Sequence, residues 1–124
     1  MNIRPQSEFP LIEEYAKHFK ITENTIFAYD NAIYTNNDLP HHLIVHEETH
    51  LKQQERDGLD FWVNNYLKNE GYRLLQEIEA YKAQLASIPD RNARNLVRLE
   101  SARNLSSALY ANIISYEKAL EMLK

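Results

Sequence analysis

The chain has 124 residues, no cysteine, and 14 basic against 18 acidic side chains, for a net charge of −4. That length suits a single domain, residues 1–124, with its own core. The lack of cysteine excludes disulfides and thiolate metal sites, the mixed charge leaves no basic stripe for nucleic acid, and no apolar run approaches the roughly 18–20 residues of a membrane span.

Taken in chain order, residues 1–7 read as irregular, and Met1-Asn2-Ile3-Arg4-Pro5 lacks the apolar segment of a secretory leader. With the absence of cysteine this points to a cytoplasmic setting. Residues 9–20 read as a helix starting near Ser7 or Glu8, with Leu11, Ile12, Tyr15, Ala16 and Phe19 on one side and His18 on the solvated side. Two short runs rich in β-branched and aromatic residues follow, 25–29 and 32–35, separated by Asp30-Asn31, which is a hairpin signal.

The segment 38–56 reads as an amphipathic helix, with Asn37 or Asp38 as cap, Pro40 in the first turn and Gly58 as the stop. It contains His46-Glu47-Glu48-Thr49-His50, an HExxH string. In a helix four residues rise about 6 Å, so both imidazoles stack on one face and can reach one metal ion. Leu39, Leu43, His46, His50 and Gln53 share one arc of the wheel, so the histidines point inward. Glu47 lies about 100° around. It is placed to take a proton from a water molecule rather than to bind the ion. His41 and His42 read as solvent-facing residues at the helix start.

Beyond Gly58, Asp60 can cap a short helix over 61–68 with Trp62, Val63 and Tyr66 packed inward, and Asn69-Glu70-Gly71 breaks it. A helix over 72–86 follows, then one from Asp90 to about 104 with Ala93, Leu96, Val97, Leu99 and Ala102 as apolar residues. Ser106-Ser107 interrupts that helix, and a last one runs from about 115 to 123. The eight tyrosines read as packing at the edge of the core, with a peptide-contacting cleft as the alternative.

A catalytic zinc site takes three protein donors and leaves a position open. The third histidine of HExxHxxGxxH is missing, since Gln53 and Arg56 stand in the last two fixed positions. The remaining donors are Glu77 and Glu79 on the 72–86 helix. Its apolar arc is Leu74, Ile78, Tyr81 and Leu85; Glu77 flanks that arc and Glu79 turns toward solvent, so Glu77 is preferred and Glu79 is the fallback.

HEETH followed by Glu77-Ile78-Glu79-Ala80-Tyr81 resembles the gluzincin zinc metallopeptidase pattern, HExxH then Glu-x-x-(Ala/Ser)-(Asp/Asn). The strings Glu8-Phe9-Pro10, HEETHLKQQ at 46–54, Arg73 to Gln84 and Leu105 to Tyr110 also resemble small zincin-like proteins of bacteriophages, which would place the chain in a host cytoplasm. The resemblance implies a minimal zincin-like α+β domain, predominantly α. A small hairpin or sheet would precede the HExxH helix, and a second helix would bring the third ligand. It implies Zn²⁺ on His46, His50 and Glu77, with Glu47 as general base. Tyr81 would orient a ligand histidine or assist an oxyanion, as Tyr66 or Tyr110 could also do. It further implies an edge strand, 33–35, along a substrate cleft, and a peptide or protein substrate. The alternatives are a catalytically inactive phage structural or host-interaction protein of the same fold, with a structural metal or none, and an amidase acting on a non-peptide bond.

Overall fold

The computed structural model describes residues 2–107 and 110–124. The architecture is α+β and mostly helical, with a small N-terminal sheet followed by the helices that carry the metal-ligand candidates. Three strands, β1 (Asn2–Arg4), β2 (Phe27–Tyr29) and β3 (Ala32–Tyr34), form a sheet in the order β1-β3-β2, with α1 (Ile12–Ala16) between the first two in sequence. β2 and β3 are antiparallel, with Tyr29 opposite Ala32, and their two-residue loop is Asp30-Asn31 at φ 47° and 63°. Positive φ at both positions gives a turn whose twist matches that of the strands, and Asp and Asn tolerate that region better than other non-glycine residues.

Three features of this region depart from the sequence reading, the first being that the helix expected over 9–20 spans only Ile12–Ala16. Residues 2–4 are a strand, parallel to β3 with Ile3 opposite Ile33, and Gln6–Glu8 forms a 3-10 turn. No local pattern announces β1, because its hydrogen bonds go to a strand about 30 residues away. β3 is therefore the central strand, with both edges paired, and cannot serve as the cleft-edge strand expected at 33–35. The strand that borders the cleft is β2, through Phe27 and Ala28, with Ile26 just before it.

The five remaining helices are α2 (His41–Asp57), α3 (Leu59–Lys68), α4 (Glu70–Ala86), α5 (Arg91–Leu105) and α6 (Tyr116–Met122). Gly58 ends α2 and starts α3 at φ 91°, a conformation that strains any residue with a Cβ, so the chain reverses there in one residue. Asn69, Asp90 and Ser115 cap α4, α5 and α6, each side chain accepting from a backbone N–H three residues on. Asn69 thus starts a helix where the sequence suggested a break.

An aromatic core holds the sheet against α1 and α3. Phe9 stacks on Phe27 with centroids 4.3 Å apart, meets Tyr15 edge-on, and is 2% exposed. A second core of Ile78, Leu85, Leu105, Leu123 and their neighbours joins α4, α5 and α6. Leu96, expected inward, is exposed. Ala108 and Leu109, part of one string noted above, lie outside the described residues, as does Met1. Among the described residues no helix is long and apolar enough to cross a membrane.

Candidate metal centre

The buried residues of α2 are His46, Glu47, His50, Gln53 and Gln54, all polar. A helix that turns a wholly polar face inward loses desolvation energy unless each group finds a partner, so such a face marks a built site. Gln54 anchors the helix to the sheet. Its Nε2 donates to the Ala28 carbonyl at 2.8 Å, and its Oε1 accepts from the Asp30 N–H at 3.1 Å. The amide thereby takes the place of a further strand on the outer edge of β2.

From α4 comes Glu77, 1% exposed, on the same face as Ala80, Tyr81 and Gln84. Ala80 is fully buried, and its single methyl leaves room for α4 to lie close to its neighbours. The Glu77 oxygens sit 3.2 Å from His46 Nε2 and 3.0 Å from His50 Nε2. The donor atoms of His46, His50 and Glu77 all lie within 4.8 Å of one another, so the three can hold one metal ion. Two donors at about 2.0–2.1 Å from a tetrahedral ion stand roughly 3.3 Å apart, close to the two carboxylate–imidazole separations found here.

Hydrogen bonds on the far side of each ring aim the donors. His50 Nδ1 is 2.9 Å from Gln53 Oε1. That oxygen also accepts from Trp62 Nε1–H at 3.2 Å, while Gln53 Nε2 donates to the Gln76 carbonyl at 3.0 Å and to Glu79 Oε1 at 2.7 Å. An indole N–H only donates and a carbonyl only accepts, so the amide is oriented from both ends and His50 Nδ1 must carry a hydrogen. His46 Nδ1 is likewise 2.9 Å from Gln84 Oε1, and Gln84 Nε2 is 2.8 Å from His42 Nδ1. A neutral His50 therefore presents its Nε2 lone pair to a carboxylate at contact distance. Two acceptors so placed repel unless a cation lies between them, either protons or a metal ion.

The charges respond accordingly. Burial opposes a charge on His50, but the field and hydrogen bond of Glu77 outweigh it and raise His50 to about 9. Burial pushes Glu77 up, yet the two histidines together hold it well below the usual carboxylate range. Burial also lifts Glu47; the histidines offset this in part and Glu77 adds to it, leaving Glu47 above an ordinary glutamate. Tyr66 donates its O–H to Glu77 Oε2 at 2.5 Å, and burial together with Glu77 raises it well above a free phenol, so it stays a donor.

The site opens into a cleft of about 280 Å³, at the lower end of the size range of ligand pockets. Glu47, Tyr66, Tyr81 and Tyr110 line it beside the three donors, with Phe19, Leu43 and Val97 among its apolar walls. Tyr81 packs its ring edge-on against His46, with centroids 4.4 Å apart. Its hydroxyl pairs with that of Tyr110 at 2.9 Å rather than with a ring nitrogen. Glu79 is exposed and away from the triad, bonded to Gln53 and Arg56. His42 reaches the cleft and Gln84 rather than facing solvent alone.

Sequence reasoning missed Gln53, Gln84 and Tyr66 as partners of the donors. Only Gln53 left a trace, a long polar residue on the inward arc three positions after His50. Gln84 lies two turns after Glu77 on the same face of α4, a placement that gains meaning only once α4 is known to cross α2.

No family model matches the chain, and neither a curated protein nor a solved structure matches it. The resemblance to gluzincins and to phage zincin-like proteins is therefore corrected. The donors form a His-x3-His pair with a distant glutamate, and the surroundings depart from the gluzincin pattern. Where that pattern has an acid holding a ligand imidazole, Tyr81 bonds to Tyr110, and Gln84 from the next turn holds His46.

Proposed function

We propose that the chain is a zinc-dependent hydrolase of peptide bonds. The observation that carries this reading is the convergence of His46, His50 and Glu77 in a cleft that Glu47 also lines. When bound, a zinc ion supplies Lewis acidity, polarising a carbonyl and easing deprotonation of water. Glu47 takes the proton of the attacking water and delivers it to the leaving nitrogen, so that a C–O bond forms as the C–N bond breaks. Burial holds the Glu47 carboxyl above an ordinary glutamate, which favours its return of the proton after accepting it. Tyr110, held protonated at the cleft wall, is an O–H donor toward developing oxyanion charge when Tyr81 donates to it, whereas the single O–H of Tyr66 is already given to Glu77. The apolar walls of the cleft, Phe19, Leu43 and Val97 among them, suit a peptide with an apolar side chain.

The test is Glu47→Gln. This variant keeps its zinc and loses turnover on a mixed peptide substrate by about 10²–10⁴-fold. Equal activity removes Glu47 from the mechanism, and wild-type cleavage that a chelator does not affect removes the metal.

A second reading is favoured by one observation: Glu77 already accepts from Tyr66 and pairs with both histidines, so the cluster can be satisfied as a buried ion network that fastens α4 to α2 and α3. On that reading the chain is a non-catalytic interaction protein. Metal analysis of purified wild type against His50→Ala separates the two.

A further inference from the structure

The geometry points to Gln53 and Gln84 as positioning residues for the metal ligands, and to position 53 as one where an amide works and a carboxylate does not. The inference rests on reading the triad as a metal centre. A histidine ligand is commonly oriented by a carboxylate or a carbonyl oxygen, and losing that partner typically costs 10–100-fold in metal affinity. Here both imidazoles are held by side-chain amides, whose second ends have different partners.

Gln53 is 1% exposed and uses both ends of its amide. Its oxygen accepts from His50 and Trp62. Its nitrogen donates to the Gln76 carbonyl and the Glu79 carboxylate. A carboxylate at this position would keep the first pair of contacts and set acceptor against acceptor in the second, at 2.7 Å and 3.0 Å. It would gain charge beside His50 but lose the geometry that aims the ring.

Gln84 differs. Its nitrogen meets His42 Nδ1, and a histidine can carry its hydrogen on either ring nitrogen. With a carboxylate at 84, the His42 hydrogen moves to Nδ1 and both rings donate to it. The same substitution should therefore act with opposite sign at the two positions.

The experiment is zinc affinity by chelator competition for wild type, Gln53→Glu, Gln84→Glu and the double variant Gln53→Glu/Glu79→Gln. Gln84→Glu should bind about tenfold tighter and Gln53→Glu about 10–100-fold weaker. In the double variant the residue at 79 can donate to the new carboxylate, and at least tenfold of the loss should return. Gln53→Glu binding as tightly as wild type, or no recovery in the double variant, overturns the assignment. Should Gln53→Glu fail to fold, long-range ¹H–¹⁵N spectra of zinc-loaded wild type decide instead. Both ligand rings should carry hydrogen on Nδ1, and an Nε2–H form at either ring overturns the inference. Wild type that takes up no zinc overturns the metal-centre reading and this inference together, whereas zinc uptake without the opposite signs overturns only the latter.

Discussion

Because His46 and His50 lie on α2 and Glu77 on α4, the donor set exists only in the folded chain, and zinc should stabilise the fold by mass action. At free zinc of 100 times Kd the gain is about 2.7 kcal/mol. Unfolding entropy is roughly 2.1 cal/mol/K per residue near the midpoint, so a chain of 124 residues has about 0.26 kcal/mol/K, and Tm should rise by roughly 10 °C. Glu77→Gln keeps the volume of the side chain and an acceptor for the Tyr66 hydroxyl while removing the charged donor. If this lowers affinity about 100-fold, the same zinc concentration stabilises by only about 0.4 kcal/mol, a rise under about 2 °C. Thermal melts followed by circular dichroism, with zinc and with excess chelator, read both values. A wild-type Tm that zinc does not move, or an equal rise in Glu77→Gln, would show that the three side chains do not act together on one ion.

The scaffold makes its own predictions. Phe9→Ala empties a site packed by Phe27, Tyr15 and Tyr34 and should cost about 3–5 kcal/mol, read as a lower urea midpoint at unchanged slope; a loss under about 1 kcal/mol would mean that this cluster does not hold the sheet. Asn31→Val forces a β-branched residue to φ 63° and should cost about 1–2 kcal/mol, whereas Asn31→Gly should be neutral or stabilising; equal stability of the two variants would contradict the turn. Asp90→Ala removes the acceptor for the Ala93 N–H at 2.8 Å, which should cost about 1 kcal/mol or roughly 4 °C in Tm; an unchanged melt would show that α5 needs no cap.

What sequence alone determined is what depends on near neighbours along the chain. Helical spacing put His46 and His50 on one inward face, and the wheel of the later helix turned Glu77 inward and Glu79 outward. The hairpin at Asp30-Asn31 and the helix start at Asp90 are local too, since turn and cap preferences act over two to four residues. Asn37 or Asp38 and Asp60, expected as caps, are not caps: α2 starts after Pro40 and α3 after Gly58, with no side-chain cap. Tertiary structure alone decided what depends on which segments meet. It made 2–4 a strand beside β3, left β2 rather than β3 at the cleft, and joined Gln53 to Trp62 and Glu79, Gln84 to His42 and His46, and Tyr66 to Glu77. A glutamine or a tyrosine has no periodicity that names its partner. Its hydrogen bonds are chosen when two helices cross, and only then does a polar residue on an inward arc gain a partner that orients it.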